Sequence, residues 1–105
     1  RSRLNELIER SIQSYEKLKN FQFGARIKRY SSPVIAHDFN RNSKLQRSRF
    51  EEALPEHILS DQNLVEALDL IMSMEAFMKL RMESGFSVKR IEEIVRETVW
   101  RLIDA

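Results

Sequence analysis

Between residues 64 and 103, apolar positions recur at helical spacing and spill beyond a single face. Leu64, Ala67, Leu68, Ile71, Met74, Met78 and Met82 follow three- and four-residue steps. At ~100° per residue those steps lie along one stripe of a helix. Val65, Met72, Ala76 and Leu80 fall on one flank and Leu70 and Phe77 on the other, so the polar strip narrows to Glu66, Asp69 and Ser73. A helix that is apolar on more than one side requires partners on more than one side. A second helix follows, with Val88, Ile91, Val95, Thr98, Val99, Leu102 and Ile103 on one face and Ile94 and Trp100 outside it. Ser84-Gly85-Phe86-Ser87 between them has the chemistry of a tight helical hairpin. Gly85 suits the left-handed conformation just past a helix end, Phe86 can fold back as its apolar contact, and Ser87 can cap the next helix. The two helices are therefore expected to be antiparallel neighbours.

The chain ahead of this pair reads as a scaffold packed on one side of it. Leu4, Leu7, Ile8, Ser11, Tyr15 and Leu18 form a stripe that begins at once, with no cap before it, so the chain is expected to be a fragment. Asn20 marks a break, after which residues 21 to 30 form a short helix presenting Phe23, Ile27 and Tyr30. Ser32-Pro33 starts a third helix, serine as cap and proline in the first turn, where its missing N–H costs nothing. That helix runs to about Leu54, before Pro55. Its inward stripe of Ile35, Ala36, Phe39, Ser43, Phe50 and Ala53 is thin and is interrupted by Gln46, which predicts looser packing and room beside it. Residues 56 to 63 read as a connection, with Ser60 or Asp61 capping the long apolar helix.

Composition narrows the class to one helical domain over residues 1–105. With 105 residues, 42% hydrophobic and 32% charged, the chain can bury one core and not two. Two glycines, two prolines and no alternating apolar-polar run argue against strands. The absence of cysteine excludes disulfides, thiol nucleophiles and thiolate metal sites. No apolar run approaches the ~20 residues that span a bilayer, and no signal-peptide pattern opens the chain, so no membrane association and a cytoplasmic location are expected. Charge is uneven: nine basic residues lie between Lys17 and Arg49 against one acid, Asp38, and the remainder from Phe50 is net acidic. Such a basic stretch is either a phosphate-attracting footprint or a solvated face that balances the acidic helices.

Catalytic chemistry finds little purchase. His37 and His57 stand at no metal-ligand spacing, and there is no glycine-rich phosphate loop, nucleophile elbow or carboxylate pair bracketing an apolar cleft. No catalytic residue, metal or cofactor is expected. Glu75 falls within the angular range of the Leu64–Met82 stripe, where a charge needs a partner. It is either paired with an arginine of the third helix or serves as a polar anchor in a ligand cavity.

The run Arg49-Phe50-Glu51-Glu52-Ala53-Leu54 is followed by Ala67-Leu68-Asp69, Ser73-Met74-Glu75-Ala76-Phe77, Leu80-Arg81 and Gly85-Phe86-Ser87. With the preceding Arg41-Asn42 and the closing amphipathic helix, this series resembles the C-terminal regulatory domain of TetR-type transcriptional repressors. The resemblance implies an all-α, roughly five-helix orthogonal or antiparallel bundle whose last two long helices pair with those of a second subunit in a four-helix bundle. It places a helix-turn-helix unit ahead of this domain, so operator DNA is contacted through an N-terminal domain missing from these residues, and a small-molecule effector binds within. Homodimer contacts are expected from Leu70, Phe77, Leu80, Ile94, Val99, Trp100 and Ile103. The effector cavity is expected between the first, third and long apolar helices, at Tyr15, Phe39, Gln46, Phe50, Met72, Ser73, Glu75 and Phe77. A helical adaptor that uses the same apolar helices without any ligand is the competing reading, and an enzyme a distant third.

Overall fold

A computed structural model of the chain describes residues 2–28 and 44–104, with side chains described for 3–19 and 44–104. Among these residues there are six α-helical segments, one π-helical turn and no strand. Helix α1 spans Ser2–Lys28 and α2 residues 44–52. Three helices follow closely, α3 at Glu56–Leu59, α4 at Gln62–Ile71 and α5 at Met74–Met78. A π turn at Lys79–Glu83 leads through the hairpin to α6, Val88–Asp104. The all-α class is as expected, and no helix among the described residues is long and apolar enough to cross a membrane.

Helix α1 does not break at Asn20 but continues to Lys28. Asn and Gly in a helix interior cost only about 0.5–1 kcal/mol each, which neighbouring turns can absorb, and no proline is present to remove a hydrogen bond. Its buried stripe is Leu4, Ile8, Ile12 and Tyr15, whereas Leu18 is 45% exposed. The expected start of the third helix at Ser32-Pro33, together with Ile35, Ala36, Phe39 and Ser43, lies outside the described residues. The described part, α2, ends as expected ahead of Pro55, whose extended backbone at φ −62°, ψ 151° leads into α3. Helix α3 occupies what reads in sequence as a bare connection, and one side chain explains it: Ile58 is buried in the common core.

Asp61 caps α4, its Oδ1 accepting from the Leu64 N–H at 3.2 Å. The long apolar helix expected from Leu64 to Met82 is interrupted at Met72–Ser73. Ser73 caps α5 by accepting from the Ala76 N–H at 3.1 Å, and its hydroxyl donates to the Leu70 carbonyl at 2.7 Å. In a continuous helix the Ala76 N–H would bond the Met72 carbonyl; here that carbonyl accepts from the Tyr15 hydroxyl at 3.0 Å. A second departure comes at the π turn, where the Ser84 N–H reaches the Lys79 carbonyl five residues back. The extra residue shifts the helical phase, and Met82, expected on the core stripe, is 49% exposed.

The hairpin is built as its residues predict. Gly85 has φ 73°, Phe86 is half-buried against the core, and Ser87 Oγ accepts from the Arg90 N–H at 3.2 Å. Helix α6 then buries Ile91, Val95 and Val99 at four-residue steps. It runs opposite to α1: Trp100 meets Asn5, while Ile91 shares a cavity wall with Ile12 and Tyr15. A single core joins α1, α2, α3, α4, α5 and α6.

Candidate functional site

The helix break at Met72–Ser73 is flanked by two voids. One, of about 100 Å³, opens between α1, α2, α4 and α5 and is lined by Leu7, Ser11, Gln46, Phe50, Asp69, Met72, Ser73, Met74 and Glu75. The other, of about 10 Å³, is room for one water at most and lies between α1, α6 and the break, with Ile8, Ile12, Tyr15, Phe77, Ile91 and Val95 in its wall. Ser11, Met72 and Ser73 line both.

Five of the expected cavity residues thus come together: Gln46, Phe50, Met72, Ser73 and Glu75. Tyr15 and Phe77 sit across the break on the smaller void, their rings 5.7 Å apart. Phe39 lies outside the described residues. Leu7, Ser11, Asp69 and Met74 complete the larger void without having been expected there. Ser11 carried a signal, as a small polar residue on an otherwise apolar stripe. Asp69 carried none, because it reads as part of the polar strip of its helix.

Glu75 is exposed rather than set in the stripe. Once the helix restarts at Ser73, Glu75 falls in its first turn, where a negative charge is favourable. Arg47, one of the two arginines of α2, is engaged elsewhere. Arg47 donates from Nε to Glu51 at 2.8 Å, from Nη2 to Glu66 at 2.7 Å and from Nη1 to Asp69 at 3.4 Å, fastening α2 to α4. Hydrogen bonding by Arg47 holds the Glu66 carboxyl below its usual range, and the Glu66 bond in turn raises the Arg47 guanidinium. Burial pushes the Asp69 carboxyl up, against the pull of Arg47.

The expected dimer contacts divide. Leu70 is 66% exposed, and Leu80, Ile94 and Ile103 are half-buried. Phe77 and Val99 are sealed in the chain's own core at 2% and 0% exposure, so neither is available to a second subunit. The reason is rotational: the break at Ser73 turns Phe77 inward, and Val99 continues the Ile91–Val95 step. Trp100 is half-buried and donates from Nε1 to Asn5 Oδ1 at 2.7 Å, which ties it to α1 of its own chain.

Across the hairpin, Arg81 donates to both oxygens of Glu16, at 3.0 and 3.3 Å, and to the Phe86 carbonyl at 3.3 Å. Tyr15 and Glu16 are consecutive on α1, so one point of that helix holds both ends of residues 72–83. His57 is exposed, and among the described residues no group of three His, Asp or Glu side chains is placed to hold a metal ion. The described residues form a small mixed-polarity cavity beside a helix break. No protein-family model, curated protein or solved structure matches the chain.

Proposed function

We propose that the chain is the effector-sensing and dimerisation domain of a TetR-type DNA-binding transcriptional regulator. The observation that carries this reading is the terminal helical hairpin. Its Ser84–Ser87 connection carries Gly85 at φ 73°, its helices leave Leu80, Ile94 and Ile103 half-buried, and Leu70 on the preceding α4 is exposed. Large apolar side chains left accessible on neighbouring helices favour a partner helix pair. The cavity at the helix break supports the sensing half of the reading, because an occupant there presses on α1, α2, α4 and α5 together. DNA is read by a helix-turn-helix unit ahead of Arg1 in the parent protein, and a ligand that fits one spacing of the two units shifts the population toward it.

Sedimentation velocity tests the dimer. The wild-type chain is expected to sediment as a dimer at micromolar concentration, and Leu70→Asp as a folded monomer. Leu70 is the residue to change, since a charge at buried Val99 would simply unfold the chain. A wild-type monomer at that concentration sinks the reading.

A further inference from the structure

Of the two voids, the one of about 100 Å³ between α1, α2, α4 and α5 has room for more than a single water. At the ~0.74 packing density of protein interiors, it takes about five non-hydrogen atoms. Buried Phe50, Met72 and Met74 form its apolar side together with Leu7. Ser11 of α1 and Gln46 of α2 also line it, and both are half-buried. Among the described residues neither of these two side chains forms a hydrogen bond with another group, whereas the Ser73 hydroxyl is already spent on the Ala76 N–H and the Leu70 carbonyl. Polar groups at a sheltered wall that no protein atom satisfies are completed by water or by a ligand. We propose that this void is the site of a small neutral molecule whose head both donates and accepts hydrogen bonds, a primary carboxamide on a short apolar body, held by Gln46 and Ser11.

The charges around the void select against ions of either sign. No lysine, arginine or histidine lines it, and Arg47, which reaches Asp69 at 3.4 Å, is shared with Glu51 and Glu66, so a carboxylate finds no free cation. An ammonium finds no free carboxylate, because Asp69 is bonded to Arg47 and Glu75 is not free either. Either ion would give up its hydration for little in return. A neutral head meets no such cost. The Gln46 carboxamide offers two N–H donors and one carbonyl, so a primary amide can pair with it in both directions, and the Ser11 hydroxyl supplies a further donor and acceptor. A ketone of the same shape only accepts, and it leaves the Gln46 carbonyl without a donor. Phe50 and the two methionines, whose thioethers adapt to irregular shapes, take the apolar body. The regulatory consequence of occupancy rests on the effector-sensing reading; binding itself does not.

The experiment titrates four near-isosteric probes, propionamide, butanone, propionate and sec-butylamine, into the 105-residue chain carrying ¹³C-methyl methionine, followed by NMR. Met72 and Met74 report on the void, and exposed Met82 is the control. Propionamide is expected to shift Met72 and Met74 saturably, with the millimolar dissociation constant that so small a ligand allows, and to leave Met82 still. Butanone should bind at least about fivefold more weakly, and the two ions should give no saturable shift. Gln46→Leu, which keeps the bulk of the side chain and removes its amide, should weaken propionamide at least about fivefold and leave butanone within about twofold of its wild-type value. That difference between the two probes is one that a merely loosened fold would not produce. No saturable Met74 shift with propionamide in the wild type, equal or tighter binding of propionate or sec-butylamine, or unchanged propionamide binding by folded Gln46→Leu would overturn the proposal. The order of the four probes on the wild type decides even if Gln46→Leu does not fold. A wild-type dimer by sedimentation with no Met74 shift defeats the ligand site alone; a saturable Met74 shift in a monomer defeats the dimer alone.

Discussion

Helix α6 and the stretch from Gln62 to Glu83 are both rich in apolar residues, yet one is a continuous helix and the other is divided twice. In α6 the buried side chains are Ile91, Val95 and Val99, one every fourth residue, so only one rotation hides them and any change of phase would expose them. Residues 62–83 are apolar on several faces. After the break at Ser73 the helix restarts with Met74, Phe77 and Met78 inward, and within the π turn Met82 is released to solvent at no loss to the core. A narrow stripe specifies both a helix and its rotation; a broad one specifies the helix and leaves its phase to caps and turns.

The largest effect that separates the two regions is a truncation on each. Ile91→Ala removes a fully buried side chain and should cost about 2–5 kcal/mol in urea unfolding. Met82→Ala, at a position that sequence spacing assigns to the core, should stay within about 0.5 kcal/mol because the π turn has carried it out. Comparable losses at both positions would return Met82 to the core and remove the phase shift on which the comparison rests.

A smaller effect tests the break itself. Ser73→Ala deletes the hydroxyl that caps α5 and should destabilise by about 1 kcal/mol, with faster exchange of the Ala76 amide hydrogen. Alanine also favours a continuous helix, which would hand the Ala76 N–H back to the Met72 carbonyl and leave the Tyr15 hydroxyl without that acceptor. A gain in stability would mean that the break is held by the surrounding packing and not by Ser73.

These positions also show how far the sequence alone could be read. Hairpin chemistry at Ser84-Gly85-Phe86-Ser87, the Asp61 cap, the stop ahead of Pro55 and the extent of α6 follow from local rules, because each is decided by residues within one turn of one another. Ser73 also carried its signal, a good cap residue in mid-helix, but spacing placed it in a polar strip and concealed the restart. The π turn has no comparable signature. Gln46 was legible as a candidate-site residue because a polar side chain there interrupts a stripe; Ser11 carries the same signal but was not expected at the cavity. Candidate-site residues were not legible where the wall is assembled from different helices: Leu7 and Met74 look like plain core, and Asp69 like surface. Val99 is sealed because it continues the Ile91–Val95 step into the core, while half-buried Trp100 is bonded to Asn5, more than ninety residues away along the chain.

The smallest effect concerns the contact that ties α1 to the far end of the divided stretch. Arg81 bonds both oxygens of Glu16, and Lys19 bonds the same carboxylate. The Arg81 hydrogen bond is the chief cause that holds the Glu16 carboxyl below its ordinary value of 4.5, with burial opposing it. A carboxyl depressed in the folded state stabilises the fold above its unfolded value, and that contribution fades as pH falls through the lowered value. Both side chains are partly solvated, 31% for Arg81 and 26% for Glu16, which keeps the contribution small and makes it weaker in salt. Asp69, pushed up by burial, runs the other way: it favours the fold on acidification and opposes it as pH rises through its raised value. Glu16→Gln should therefore lower the urea midpoint slightly at pH 7, and the gap to wild type should narrow as the pH is taken below about 4.5. Asp69→Asn should leave that narrowing intact, because it acts on the opposite limb. If the Glu16→Gln gap stays constant down to pH 3, the lost interaction is not ionic, and the carboxylate of Glu16 is not what fastens α1 to residues 72–83.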